Sequence, residues 1–424
     1  MNKNLLFLLG VTVICLCGCT LAPKYTRPEA PIPVDWPSGP AYKEAQPTPG
    51  TPTATDLEWR EFFTDERLQK IIEMALNNNR DLRAAALNVE KARALYGIRQ
   101  AELFPAVNAD AGGSRYRLPA DLSSSGTSTT SAEYSVNLGV VSWEIDFFGR
   151  IRSLKDRALE EYFATEQARR SAQILLVSEV ANLFLTLAAD RESLKLTRST
   201  LLTQQITYDL IRRRYEVGLA PELDLRQAQT RVDAARVDEA LFTRLVAQEE
   251  NALNLLVGST VPSELLPVDL DSMSSYPDIS AGLPSDVLLR RPDILQAEHL
   301  LKATNADIGA ARAAFFPRIS LTTAIGTASA DLTGLFQAGS FTWSYAPQLV
   351  MPVFDARLWS ALKASKVQRE IVLTQYEKAI QAAFREVADV LAVRGTVEEQ
   401  LAAQRSLVDA QAETYRLSNA RYTK

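Results

Sequence analysis

Residues 151–217 read IRSLKDRALEEYFATEQARRSAQILLVSEVANLFLTLAADRESLKLTRSTLLTQQITYDLIRRRYEV, a stretch of 67 residues without a glycine or a proline. Because these two residue types interrupt helices, the stretch predicts one continuous helix, ended by Gly218 and Pro221. At about 1.5 Å per residue this helix would be roughly 100 Å long, whereas helices of globular proteins run about 8–20 residues.

One face of this predicted helix carries a narrow apolar stripe. A residue with an apolar body recurs every seven positions, at Val180, Leu187, Leu194, Leu201, Tyr208 and Tyr215. The accompanying positions are mixed, with apolar Leu176, Leu183 and Ile211 and polar Asp190, Thr197 and Gln204. A stripe of this width is typical of a coiled coil, so the helix needs partners from the rest of the chain or from other copies.

The chain repeats itself. Three markers recur with a constant separation of 212 positions: Asp81-Leu82 with Asp293-Ile294, Gly97 with Gly309, and Phe104-Pro105 with Phe316-Pro317. A second seven-residue stripe follows at Leu373, Ile380, Val387, Leu401, Val408, Tyr415 and Tyr422, with Arg394 at the one polar position. Helix, strand pair and long helix keep the same order in both halves, which indicates a tandem duplication.

These patterns predict the domain organisation. We expect a lipoprotein signal peptide at 1–18, a proline-rich, lipid-anchored linker at 19–56, a first repeat at 57–258, a connector at 259–284 and a second repeat at 285–424. The first repeat would hold a helix, a β-hairpin (105–148), a long helix (151–217) and a return helix (222–257). The second would hold a helix, a β-hairpin (317–354) and a long helix (356–422). Since the return helix has no counterpart in the second repeat, we expect that repeat to be incomplete at its C-terminus.

Both hairpins are predicted from alternation of apolar and polar residues. Val107, Ala109 and Ala111 alternate with Asn108 and Asp110, which is the period of a β-strand. This pattern fits a transmembrane barrel hairpin and equally a hairpin of a soluble β domain. Four membrane strands cannot close a barrel, so in the first case several chains must share one.

The alternation of the first hairpin breaks near Ser142-Trp143. Glu144 and Asp146 fall on the phase that was apolar before the break. A β-bulge or the exit of the strand from the membrane would explain the change.

The N-terminus predicts export and lipidation. A basic Lys3 is followed by a short apolar run, typical of a secretory signal. Leu16-Cys17-Gly18-Cys19 then resembles a bacterial lipobox; an ordinary signal peptide with incidental cysteines is the alternative. Lipidation of Cys19 would attach diacylglycerol and an N-acyl group, enough chains for stable anchoring. Thr20 rather than Asp follows, which in such lipoproteins favours the outer membrane.

Composition argues against two other function classes. The net charge is −5 and no basic run occurs, so nucleic acid is not a predicted partner. The chain has one histidine, His299, for which we expect a place on a helix surface or between helices. Glu144 with Asp146, or Asp286 with Asp293, could form carboxylate pairs, but no nucleophile or histidine joins them, so an enzyme is not predicted. A periplasmic coiled-coil scaffold without a pore stays an alternative.

Several motifs resemble those of TolC-type outer membrane efflux lipoproteins. They are the lipobox, residues 59–63 with Asp65, Phe104-Pro105, residues 143–150 (WEIDFFGR), residues 214–218 (RYEVG), residues 283–294 (LPSDVLLRRPDI) and residues 315–317 (FFP). The resemblance implies a mainly α fold with β strands: four transmembrane strands per chain, a twelve-stranded barrel shared by a homotrimer, and a helical coiled-coil barrel in the periplasm. It implies a passive exit duct without a cofactor beyond the lipid, partnered by a periplasmic membrane-fusion adaptor and an inner-membrane pump of the resistance-nodulation-division type.

The resemblance also implies roles for the turn after the first long helix. Adaptors dock at this turn in the family, which assigns Gly218 and Leu219 to docking. Asp224 matches a residue that bonds the neighbouring repeat in the closed state, and Tyr422 matches its tyrosine partner. The family's acidic pore constriction would lie beyond Lys424.

Overall fold

The structure is a computed structural model that describes residues 20–42, 57–270 and 285–422. Its helices are α1 (Trp59–Phe62), α2 (Glu66–Asn78), α3 (Arg80–Ala101), α4 (Arg150–Glu216), α5 (Glu222–Val257), α6 (Pro292–Ala313) and α7 (Ala356–Tyr422). Its strands are β1 (Val107–Leu118), β2 (Thr129–Ile145), β3 (Arg318–Ser329) and β4 (Phe341–Val350). The predicted long helix is confirmed as one uninterrupted element, shifted by one residue toward the N-terminus. Its repeat, α7, has the same length of 67 residues.

The chain divides into two compact units. The first contains residues 20–31, 89–166 and 293–380, and so holds the whole β-sheet and α6. The second contains residues 32–42, 57–88, 167–270, 285–292 and 381–422, and so holds α2 and α5.

The four strands form one antiparallel sheet in the order β1-β2-β3-β4. Residues paired across antiparallel strands point to the same face, so the register shows whether the predicted apolar positions coincide. They do: one row joins Ala109, Leu138, Ile325 and Trp343. The two rows beside it are also apolar, except for a threonine on β3 in each, Thr323 and Thr327. The predicted two-faced character of both hairpins is therefore confirmed.

A β-bulge explains the break near Ser142. The register of β2 on β3 shifts between Val140 and Trp143, and Ser142 has a φ of +51°. The backbone N–H of Ser142 donates to Oγ1 of Thr322 at 3.1 Å instead of entering the ladder. Because the bulge absorbs one residue, Trp143 returns to the apolar face and Glu144 falls on the polar one.

The second unit has its own apolar core between α2, α4 and α5. Val180, Phe184 and Leu187 of α4 are fully buried against Ile72 of α2 and Leu253 of α5. By length and composition α4 could cross a membrane, but these apolar side chains are enclosed by protein. The apolar stripe of α4 is thus a packing surface at its centre.

The return helix α5 ends where α3 begins. Asn79 joins them: its Nδ2 donates to the Leu256 carbonyl at 2.8 Å and its Oδ1 accepts from the Leu82 N–H at 2.8 Å. Gly258 has a φ of +73°, and a Cβ there would come within 2.5 Å of the Asn78 carbonyl oxygen. Glycine therefore allows the end of α5 to approach the junction of α2 and α3.

Candidate functional site

The turn between α4 and α5 is fixed by backbone hydrogen bonds. Gly218 has a φ of +78°, the left-handed conformation with which many helices end. Its N–H donates to the Tyr215 carbonyl at 2.9 Å, and the N–H of Leu219 donates to the Arg214 carbonyl at 2.7 Å. The chain can therefore reverse direction within a few residues.

This turn presents apolar side chains to the surface. Val217, Leu219 and Leu223 are each exposed by about two thirds or more, at 69%, 70% and 65%. Arg226 pairs with Glu222 in the next turn of α5, so a charged rim borders them. Exposed apolar side chains on a rigid turn are typical of a protein interaction surface.

The predicted contact of Asp224 and Tyr422 stays a prediction. Asp224 lies in the first turn of α5 and is exposed. Tyr422 is the last residue of α7, and its side chain lies outside the described part of the structure. Cys19, the predicted lipid attachment site, also lies outside the described residues.

The sheet has two open edges. β1 pairs only with β2 and β4 only with β3 among the residues that the structure describes. An open edge exposes a row of backbone donors and acceptors, which another strand can pair with. The sheet alone is therefore incomplete as a membrane-spanning structure.

Glu144 ties the polar face of the sheet to the first turn of α4. Its two oxygens accept from Nε and Nη2 of Arg150 at 2.8 and 2.7 Å. Arg318, the first residue of β3, places its Nε at 3.0 Å from the same carboxylate. Charge-assisted forked pairs of this kind are short and directional, so Glu144 has a structural partner on both sides.

Asp146 caps α4. Its oxygens accept from the backbone N–H groups of Ile151 and Arg152 at 3.1 and 2.8 Å, which satisfies donors at the helix start. Since Glu144 and Asp146 are both engaged by fixed donors, the pair is unsuited to transfer protons to a substrate.

The single histidine lies between two helices, as predicted. His299 of α6 places Nδ1 at 2.6 Å from Oε2 of Glu160 in α4. Its ring also lies 5.5 Å from the ring of Phe163. Within the described residues, no group of three or more His, Cys, Asp or Glu side chains could hold a metal ion.

Residues 20–31, which we call the strap, are fastened to α6 by Glu298. The Glu298 side chain is only 4% exposed. Its carboxylate accepts two hydrogen bonds from Arg27 and one from Tyr25 Oη at 3.1 Å. Nζ of Lys302 lies 3.2 Å from the same carboxylate. Burial by itself would raise the pKa of Glu298, but the hydrogen bond from Arg27 and the charge of Lys302 hold that pKa below its usual value. The carboxylate is therefore held ionised in a buried position.

Two further contacts hold the strap against α6. Nδ2 of buried Asn305 donates to the Pro23 carbonyl at 2.6 Å. At Gly309, a Cβ would come within 2.8 Å of Ala22, so only glycine lets the strap lie this close. Gly309 was recognised in the sequence as a repeat marker, and the structure adds its packing role.

Sequence reasoning did not single out Glu298, although the duplication held a signal. The equivalent of Glu298, 212 positions earlier, is Ala86. No residue of α3 is buried among the described residues, whereas ten residues of α6 are. A charged residue in one repeat and a small residue at the equivalent position of the other indicate that only one of the two repeats has a polar partner at that position.

A second polar contact links the two helices of the second unit. The carboxyl groups of Asp190 in α4 and Glu249 in α5 lie next to each other, and Oε2 of Glu249 is buried without a hydrogen-bond partner among the described residues. Burial, together with the neighbouring carboxyl group of Asp190, raises the pKa of Glu249 to about 7. One of the three polar exceptions to the α4 stripe, Asp190, thus has a partner whose pKa lies near neutral pH.

The sequence profile of the Outer membrane efflux protein family matches residues 71–259 and 283–424. The chain belongs to the outer membrane efflux protein family. It is 51% identical over 424 residues to the probable efflux pump outer membrane protein TtgC of Pseudomonas putida, covering 100% of this chain and 87% of that protein. It is 42% identical over 412 residues to outer membrane protein OprJ of Pseudomonas aeruginosa, covering 96% and 85%.

The fold matches solved members of the same kind. The open state of the MtrE outer membrane channel of Neisseria gonorrhoeae superimposes with a TM-score of 0.84 at 36% identity, covering 96% of this chain and 89% of that one. The predicted resemblance, the mixed helical and β fold, the outer membrane location and the role as an efflux channel protein are confirmed by these matches. Because the family is one of transport ducts, the prediction that this outer membrane efflux protein is not an enzyme is confirmed as well.

Proposed function

We propose that three copies of this chain form one duct that passively conducts drugs or other small molecules through the outer membrane. The four-stranded sheet with two open edges carries this proposal. Two copies would supply eight strands, and the interior of such a small barrel is filled by side chains. Three copies supply twelve strands, so three is the smallest number of copies that goes beyond a filled barrel.

The apolar face of the sheet supports contact with lipid. On β4 the alternating residues Phe341, Trp343, Tyr345 and Leu349 are each exposed by more than 60% in the single chain. The opposite face carries polar pairs such as Asn137 and Asp110, whose side chains are hydrogen-bonded at 3.3 Å. A barrel that is apolar outside and polar inside suits a water-filled passage.

The stripe on α7 supports a helical tube made by neighbouring copies. Leu401, Val408 and Tyr415 continue the seven-residue pattern and are exposed by 48%, 55% and 70% in the single chain. Apolar side chains at this spacing stabilise helices when a facing helix covers them.

Partners follow from the turn at Gly218. In our proposal a periplasmic membrane-fusion adaptor docks on Leu219 and its apolar neighbours. An inner-membrane pump of the resistance-nodulation-division type then delivers the substrate and supplies the energy. A toluene efflux pump outer membrane protein of Pseudomonas putida is 51% identical to this chain, which supports small apolar molecules among the substrates.

Two further roles complete the proposal. Asp224 and the Tyr422 side chain of the neighbouring repeat form a hydrogen bond that stabilises the closed duct. Cys19 carries diacylglycerol and an N-acyl group that anchor the chain in outer membrane lipid. Thr20 supports this anchor, since its Oγ1 lies 3.2 Å from Oγ of Ser153, eight positions after the last residue of β2.

Single-channel recording in planar bilayers tests the proposal. The purified full-length protein should migrate as a heat-modifiable trimer and produce discrete conductance steps. Asp224→Ala should increase the open time, while the exposed variant Asp238→Asn on the same helix should not. Trimers without any conductance would favour the alternative of a pore-free periplasmic scaffold and overturn the duct.

A further inference from the structure

A basic cavity lies in the first unit, where the strap crosses α6 and α7. Its volume is about 360 Å³. Lys24 of the strap, Arg312 of α6 and Lys366 and Arg369 of α7 line it. Among the described lining residues, only Glu370 supplies a carboxylate. Three segments that are distant in sequence thus bring four cations to one place.

The charges of this cavity are not balanced within the chain. Glu370 is engaged by Arg369, whose Nη1 lies 2.9 Å from its Oε1. Lys24 and Lys366 have no ion pair or hydrogen bond with any residue that the structure describes. Cations placed around one cavity repel one another unless an anion lies between them, so the arrangement favours a bound anion.

The cavity wall is held in place by contacts of its own. Nη1 of Arg312 donates to the Leu21 carbonyl at 3.1 Å, which orients the guanidinium while leaving other donors for a ligand. The neighbouring Asn305 holds the Pro23 carbonyl, so the backbone that carries Lys24 is fixed. The cations therefore converge on a structured site.

We propose that this cavity binds a phosphate-type oxyanion. Arginine forks and lysine ammonium groups are the side chains that recognise phosphate oxygens through charge-assisted hydrogen bonds. The volume is about twelve times the ~30 Å³ that one water occupies in the liquid, so the cavity has room for an esterified phosphate as well as a bare one. Nothing in this proposal depends on conduction or on adaptor docking.

The location favours a lipid headgroup over a soluble phosphate. Arg312 lies six positions before Arg318, where β3 begins. The polar headgroup layer extends roughly 5–8 Å beyond the hydrocarbon on each side of a bilayer. Basic pockets beside membrane-spanning elements bind acidic headgroups elsewhere. Both sources share the phosphate group, so an experiment must separate them.

The test uses the full-length protein and two matched double variants. Lys24→Gln with Lys366→Gln removes two unpaired cations of the cavity. Lys91→Gln with Lys363→Gln removes two exposed lysines outside it and serves as the control. All the changed side chains are exposed, and trimer formation is confirmed for each protein before binding is measured.

Native mass spectrometry after reconstitution compares the binding of phosphatidylglycerol with that of phosphatidylcholine and so tests for a lipid headgroup. Calorimetric titration with inorganic phosphate tests for a soluble phosphate. We expect the wild type and the control to retain phosphatidylglycerol, to bind phosphate, or both, and the cavity variant to bind at least about tenfold more weakly. Binding of neither probe by the wild type, or an equal loss in cavity and control variants, would overturn the proposal.

Discussion

The Arg27 guanidinium donates two hydrogen bonds to the buried Glu298 carboxylate, from Nε to Oε1 at 3.1 Å and from Nη2 to Oε2 at 2.5 Å. This fork joins the N-terminal strap to α6 across 271 positions of sequence. The half-exposed arginine neutralises a carboxylate that has almost no access to water. The strap is thereby part of the folded structure.

Removal of the arginine should loosen the strap. In Arg27→Gln the Glu298 carboxylate keeps Lys302 and Tyr25 but loses its forked partner, a loss of roughly 1–3 kcal/mol for hydrogen bonds to a charged group. We expect a lower Tm and faster proteolysis of residues 20–31. Arg60→Gln, which breaks an exposed pair with Glu73, is the control and should change little. An equal change in Tm and in the rate of proteolysis for the two variants would contradict a stabilising role of the Arg27–Glu298 contact.

The contact between Glu298 and the strap should also weaken in acid. Because its pKa is lowered in the folded state, its contribution is present above the ordinary pKa of 4.5 and is lost as pH falls through the folded pKa. Strap proteolysis in the wild type should therefore accelerate at low pH, and Glu298→Gln should remove that acceleration. Proteolysis that is independent of pH in the wild type would be evidence against the carboxylate's role.

The Asp190–Glu249 pair should give the opposite pH dependence. The pKa of Glu249 is raised from 4.5 to about 7, so its stabilising effect is complete below about pH 4.5 and is lost as pH rises through about 7. In thermal unfolding between these values, Glu249→Gln should lack the decline in Tm that the wild type shows. Asp238→Asn on the same helix is the control and should keep that decline. A wild-type slope in the Gln variant would show that other groups cause it.

The bulge at Ser142 should tolerate a deletion that the regular ladder does not. Without Ser142, β2 pairs with β3 in unbroken register, both faces stay intact and a positive φ is removed. Deleting Asn137 instead forces the apolar residues on one side of it to the polar face. Heat-modifiable trimers should persist in the first deletion and be lost in the second. Loss of trimers in the Ser142 deletion and their persistence in the Asn137 deletion would disprove the interpretation of Ser142 as the extra residue of a bulge.

The sequence allowed the secondary structure and the faces of the sheet to be predicted. The absence of Gly and Pro over 151–217 determines a continuous helix through backbone chemistry alone. Alternation places Ala109 and Leu138 on one face because the strand period is fixed. The break in alternation near Ser142 was also visible in the sequence, since an extra residue in the strand reverses the order of apolar and polar positions.

Contacts between distant segments were beyond such reasoning. Glu298 is an ordinary helix residue until a strap bearing Arg27 covers it, and proline-rich composition does not reveal where a strap lies. Asp190 was visible as a polar exception in an apolar stripe. Its partner Glu249 could not be named, because the register between two helices depends on packing along their whole length.

The apolar turn should be needed for partner binding and not for conduction. Leu219→Ser removes an exposed leucine, and burial of such a side chain contributes roughly 1.5–3 kcal/mol. Adaptor binding in a pull-down assay should weaken about tenfold or more, since 1.4 kcal/mol corresponds to tenfold. Single-channel conductance should be unchanged. The control Leu332→Ser alters an equally exposed leucine in the loop between β3 and β4, and an equal effect there would refute the docking role.

Cysteine cross-linking between sheet edges tests most directly whether three copies share one barrel. Ala111→Cys on β1 is combined in turn with Trp343→Cys, Tyr345→Cys or Leu349→Cys on β4, all on the apolar face; Ala111→Cys alone is the control. We predict that oxidation in membranes yields a covalent trimer for at least one combination and never a longer ladder, because three chains close the ring. Assembled protein without any β1–β4 cross-link, or a ladder that continues beyond the trimer, would contradict the shared barrel.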